Sequence, residues 1–188
     1  HSMESYISKR SHPISEPLSL EGMRLAAANL KGAYDSGNEI EYRERMAWAN
    51  TIAGVAINLA GNCGIHALGH PLSAYYNIPH GETLAAVSLA FMQFSIPEAS
   101  DKLAKIANIL GVDAKGLSTT KAAEKSVEAL KTFMKSLNLP TKISAFGIKE
   151  ENIEKLAQNA YEHSNRNFKV SPREMTLDDA RKIYKASL

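Results

Sequence analysis

Three of the chain's six histidines, His66, His70 and His80, fall within fifteen consecutive residues. The surrounding stretch, Gly61 to Thr83, reads G-N-C-G-I-H-A-L-G-H-P-L-S-A-Y-Y-N-I-P-H-G-E-T, and most neighbours of the histidines are small or apolar residues of the kind that fill a core. His66 and His70 are four apart, so on a helix both rings leave one face about one turn apart. Asn77-Ile78-Pro79 is a turn signal that lets the chain reverse and return His80 toward the first two. Neutral imidazole is the commonest protein ligand for a borderline divalent metal, so this spacing fits a metal centre. It also fits core histidines on an apolar face with His80 capping the next helix, because the pair lacks the Glu of H-E-x-x-H. Cys63, three residues before His66, is a conceivable thiolate ligand or nucleophile, or a small buried residue.

The elements that must position these residues are helical throughout. His1 to Arg10 carries Met3, Tyr6 and Ile7 at helical spacing, and Ser11 to Pro17, with two prolines, reads as a loop. Leu18 to Tyr34 is amphipathic and stops at Asp35-Ser36-Gly37-Asn38. Glu39 to Ala60 is a long helix whose second half, from Met46 through Ala56, is apolar and small, which predicts a helix entering the interior. Glu82 to Phe94 is almost entirely apolar and must be covered on nearly all sides, by its own chain or by a partner subunit. Pro97 to Leu110 stops at Gly111, and Ser118 to Leu137 opens on a Ser-Thr-Thr cap. Thr141 to Phe146 is short and could be extended. Lys149 to about Glu162 is helical, His163 to Pro172 is polar and irregular, and Thr176 opens a final helix with Asp178 and Asp179 against its dipole. The fold class is therefore all-α, with about eight helices and no convincing strand.

Composition narrows the functional classes. A chain of 188 residues with 44% hydrophobic content builds one sizeable core, so a single domain is expected. Net charge is +2 with 22% charged residues well mixed in sign, which predicts neither a nucleic-acid face nor a membrane-binding stripe. The longest apolar run, Thr51 to Ala60, is interrupted by Gly54 and Asn58 and is too short for a span. No basic region followed by an apolar one marks a signal peptide, and a single cysteine precludes an internal disulfide and fits a reducing cytoplasm. There is no G-x-G-x-x-G and no P-loop lysine, so any dinucleotide must be held mainly by residues outside this chain. A first residue other than Met predicts a fragment or a processed product.

The stretch G-I-H-A-L-G-H-P-L-S-A-Y-Y-N-I-P-H-G, Gly64 to Gly81, resembles the signature of the iron-containing (group III) alcohol dehydrogenases. The preceding T-I-A-G-V-A-I-N-L-A and the closing S-P-R-E-M-T-L-D-D-A-R-K-I-Y-K-A are also similar to that family, so the likeness covers essentially the whole chain. It implies that residues 1–188 are the C-terminal, dehydroquinate synthase-like helical domain of a two-domain enzyme whose N-terminal nucleotide-binding domain is absent. The resemblance implies that His66 and His80 bind a divalent metal, Fe²⁺ or in some members Zn²⁺. It places His70 near the nicotinamide and substrate as a proton-relay or orienting group. H-S-M-E-S-Y-I-S at the N-terminus is similar to the second half of a D-x-x-x-H pattern, which makes His1 the third histidine ligand unless it is a tag remnant.

The implied activity is NAD(P)-dependent oxidation of small alcohols or reduction of aldehydes, with the nucleotide-binding domain as partner and a homodimer conceivable. On this reading the 188-residue piece folds, holds metal weakly and does not turn over alone. His80-Gly81-Glu82 is also similar to zinc-dependent glycerol dehydrogenase and to dehydroquinate synthase, which keeps those relatives open. A helical binding module with core histidines is the non-enzymatic alternative.

Overall fold

Leu68, Leu72, Val87, Phe91 and Met92 are fully buried, and they lie on the two helices that carry the histidines. In the computed structural model, which describes residues 1–188, nine α-helices and two short 3₁₀ segments assemble around this pair, and no strand forms. In chain order they are α1 (Ser2–Ile7), α2 (Ser15–Asp35), α3 (Ile40–Ala60), α4 (Gly64–Tyr76), α5 (His80–Ile109), α6 (Thr119–Ser136), α7 (Ile153–His163), α8 (Asn165–Val170) and α9 (Leu177–Ala186). Burying an aliphatic or aromatic side chain of this size contributes roughly 1.5–3 kcal/mol, and these five belong to one continuous core that also takes in Tyr6, Leu156, Phe168 and Tyr184 from other helices.

The helices pack in a few principal pairs: α2 against α3, α4 and α6 against α5, and α7 against α9, with α1 wedged against α2 and α3. Helix α3 meets α4 at a bend of 109° through Gly61-Asn62-Cys63. The apolar segment that had to be covered is covered from within this chain, because Val87, Phe91 and Met92 of α5 lose all solvent exposure against α4, α6 and α9. Glycine permits close approach of α4 and α5: a Cβ at Gly64 would run into the Phe91 ring, and one at Gly69 would come within 2.6 Å of Leu84 Cδ2.

The structure differs from the sequence expectations in several places, each for a physical reason. Pro17 belongs to the first turn of α2 and not to a loop, since the first turn's N–H groups lack helical partners anyway. The second half of α3 does not enter the interior. Ala49, Ile52, Ala56 and Ala60 form one buried face against α1 and α2, while Trp48 and Val55 on the other face are 58% and 47% exposed. The two helices expected at 82–94 and 97–110 are one bent helix, broken at Ala99 (φ −130°, ψ 20°) just after Pro97. Residues 143–146 form a 3₁₀ turn whose Ile143 N–H donates to the Ser187 carbonyl at 2.8 Å. The stretch expected to be irregular contains α8, which buries Phe168 edge-on to Tyr161. No single helix is long and apolar enough to cross a membrane.

Candidate metal centre

His66 sits on the first turn and a half of α4 and is 3% exposed, while His70, one turn on, lies at the rim and is exposed. Pro71 follows inside the helix, where its missing N–H frees the Ala67 carbonyl. The helix ends on Asn77 in a left-handed conformation (φ 52°, ψ 36°), a position that Asn tolerates well. Pro79 then starts α5, so His80 is its first residue and faces back toward α4. Thr83 secures this turn by donating to the His80 carbonyl at 2.8 Å and meeting the Ser73 hydroxyl of α4 at 3.2 Å. The spacing argument therefore holds: the i, i+4 pair and the Asn-x-Pro turn bring the three rings together.

His1 joins them from the far end of the sequence. Its ring centroid is 5.0 Å from that of His66; His66 is 5.3 Å from His80 and 5.9 Å from His70; His70 is 5.4 Å from His80. Imidazoles bound to one ion at ~2.1 Å in tetrahedral directions have ring centroids about 5 Å apart. The donor type and spacing thus fit a divalent ion, although no group of three or more His, Cys, Asp or Glu side chains is already closed into a ligand set. The His1 ring is stacked on His66 at 27° and the His70 ring on His80 at 21°. His1, His70 and His80 lie at the exposed rim of the cluster, while His66 is buried.

What fixes His66 is Glu4, a residue that the sequence reading did not single out. Glu4 is 2% exposed, and its carboxylate pairs with His66 Nδ1 through Oε2. Its Oε1 accepts the Cys63 N–H at 2.8 Å and the His66 N–H at 3.3 Å. Burial acts to raise the Glu4 carboxyl, but the hydrogen bond to His66 and the charges around it prevail and hold it below the usual glutamate range. A carboxylate on the second nitrogen of an imidazole fixes its tautomer and leaves Nε2 with a free lone pair, the arrangement common behind metal-bound histidines. The signal was present: Glu4 lies three residues after His1, on the same helical face, within an otherwise uncharged helix.

Two further contacts brace the site. Tyr184 of α9, wholly buried, donates its hydroxyl to the Leu68 carbonyl of α4 at 2.6 Å, and burial pushes its phenol well up. Lys102 of α5 donates to the Tyr6 carbonyl at 2.7 Å and pairs with Glu16 at 2.8 Å, tying α1 to α2 and α5. Cys63 is fully buried, and burial with the nearby Glu4 charge pushes its thiol up, so it remains a neutral packing residue. His70 and His80 are both lowered, first by partial burial and then by the neighbouring imidazoles. His12 and His163 lie apart from the cluster, on its own loop and at the end of α7.

The chain is similar to known proteins over its whole length. The chain is 34% identical over 188 residues to the NAD-dependent methanol dehydrogenase of Bacillus methanolicus, covering all of this chain and 49% of that protein. It is 33% identical over 165 residues to the 1,3-propanediol dehydrogenase of Klebsiella pneumoniae, covering 88% of this chain and 43% of that one. A crystal structure of a 1,3-propanediol oxidoreductase superposes over the whole chain with TM-score 0.95 at 30% identity, and the match takes in 49% of that chain. The chain therefore spans about half the length of the relatives it matches. The sequence profile of the Fe-containing alcohol dehydrogenase family, C-terminal, matches residues 1–188, and the chain belongs to that family.

Proposed function

We propose that residues 1–188 form the metal-binding half of an NAD(P)-dependent alcohol dehydrogenase that oxidises alcohols or reduces aldehydes. The observation that carries this reading is the convergence of His1, His66, His70 and His80 from three separate segments, with Glu4 locked behind His66. His1, His66 and His80 are the ligands for a divalent ion, Fe²⁺ or Zn²⁺. When bound, such an ion is a Lewis acid that polarises a carbonyl oxygen and lowers the pKa of an alcohol. Glu4 keeps His66 in the tautomer that presents Nε2.

His70 takes the remaining role. Its lowered pKa keeps the ring neutral at neutral pH, and its exposure connects it to solvent, so its free nitrogen accepts the alcohol's proton and passes it outward. Leu68, Leu72 and Ile78, all buried behind the rings, keep water from the protein side of the cluster. Nicotinamide binding is assigned to a nucleotide-binding domain of the same protein, since this chain folds without a strand or a phosphate-binding loop.

The test is alcohol-dependent reduction of NAD or NADP by the full-length protein, followed together with its metal content. His66→Ala and His80→Ala are expected to lose both metal and activity. His70→Gln is expected to keep the metal and lose turnover. Wild-type rates in a metal-depleted His66→Ala protein would overturn the proposal.

A further inference from the structure

Where α3 ends and turns into α4, a cavity of about 240 Å³ is walled by Arg10, Asn58, Gly61, Asn62, Arg166 and Asn167, with no acidic residue in its lining. The chain's ion pairs involve neither Arg10 nor Arg166. Neither guanidinium donates a hydrogen bond to another protein group, although Arg10 Nη1 lies 3.5 Å from where a Cβ at Gly61 would stand. The flanking segments add to the charge. Residues 9–10 and 166–173 contain Lys9, Arg10, Arg166, Lys169 and Arg173 and no Asp or Glu; Glu174 approaches Lys9 at 3.9 Å and Asp179 approaches Arg173 at 3.9 Å.

Neutral donors are oriented alongside the charges. Asn167 Nδ2 donates to Asn62 Oδ1 at 2.6 Å, which occupies the acceptor end of Asn62 and leaves its amide NH₂ without a partner in the chain. The opposing influences are the carbonyl end of α3, equivalent to roughly half a negative charge, and the Glu4 carboxylate behind the Asn62–Cys63 turn, which is buried and already engaged by His66 and the Cys63 N–H. Neither lies in the lining of the recess, where the two guanidinium groups stand. Planar guanidinium forks beside amide donors in an acid-free recess match the oxygens of a carboxylate or phosphate.

We propose that Arg10, Arg166 and Asn62 form a binding site for a small oxyanion, the phosphate or carboxylate group of a soluble ligand. The site shares the Gly61–Cys63 turn with α4 but uses none of the clustered histidines, so it stands or falls independently of the metal centre.

Calorimetric titration of the 188-residue chain at neutral pH and low ionic strength, with inorganic phosphate and separately with succinate, tests it. One saturable site per chain is expected, weakened about tenfold or more by Arg10→Gln and by Arg166→Gln. Arg43→Gln is the control, because Arg43 is another exposed arginine outside the chain's ion pairs, about 27 Å from Gly61 along α3. Saturation by phosphate alone identifies a phosphoryl ligand, and saturation by succinate identifies a carboxylate. Circular dichroism of each variant checks that the helices are intact. No saturable binding of either anion, or equal weakening by Arg43→Gln, overturns the proposal.

Discussion

The Glu4 carboxylate grips His66 from 62 positions away in the sequence, bonding its ring Nδ1 and its backbone N–H together with the N–H of Cys63. One buried side chain thus fixes both the start of α4 and the orientation of the most deeply buried histidine. Replacing it separates these roles. Glu4→Ala leaves two buried N–H groups and an imidazole edge without acceptors, at about 1–3 kcal/mol for each unsatisfied group. A loss of roughly 3 kcal/mol or more in urea unfolding is expected. Glu4→Gln keeps an oxygen for the Cys63 N–H but turns an NH₂ toward Nδ1, favouring the wrong tautomer. It is expected to retain most of the stability while weakening metal binding about 10–100-fold. Equal metal affinity in Glu4→Gln and wild type would contradict the role given to Glu4.

Tyr184→Phe removes the single hydroxyl that reaches across from α9 to the Leu68 carbonyl. The expected cost is about 0.5–1.5 kcal/mol in chemical unfolding, the net worth of one buried hydrogen bond, since the carbonyl lies within α4 and keeps the Leu72 N–H as helical partner. A loss of several kcal/mol would show that the hydroxyl does more than brace α9 against α4.

Acid should destabilise the metal-free chain in two steps. His70 and His80 have lowered pKa values in the folded state, so the unfolded chain binds more protons. Stability is then full above the ordinary imidazole value of about 6.5 and falls as pH drops through the folded values. Glu4, also lowered, contributes stability above the ordinary glutamate value of about 4.3, and that share is lost as pH falls through its folded value. Urea midpoints measured across this range are expected to decline throughout. The His70→Gln/His80→Gln variant should flatten the upper part and Glu4→Gln the lower; an unchanged profile in both would contradict the assignment.

Trp48, the chain's one tryptophan, reports on the outer face of α3. At 58% exposure its fluorescence is expected to resemble that of an indole in water and to be quenched readily by acrylamide. A shielded emission that becomes exposed on dilution would show instead that a second copy covers this face.

Much of this was legible in the sequence, and the exceptions share a cause. The α4 histidine pair, the Asn77–Pro79 reversal and the return of His80 followed from local spacing and turn chemistry. The all-α class followed from helical periodicity. The exposed face of α3 was misread because Trp48, Val55 and the small residues between them look like core when it is unknown which neighbours pack on which side. The Glu4–His66 pair escaped because a partnership across 62 residues leaves no periodic trace, and a lone acid in a short helix usually faces solvent. Tyr184, 116 residues from Leu68, escaped for the same reason. Residue patterns show what one element can do, and only the packed chain shows which distant side chain completes it.

The most direct test of the metal centre is calorimetric titration of the chain with Zn²⁺, beside His66→Ala and His80→Ala. One ion per chain, with binding lost in both variants, is the predicted result. Absence of saturable binding, or binding that survives both substitutions, would contradict the metal centre and leave the four rings as a packed cluster of imidazoles.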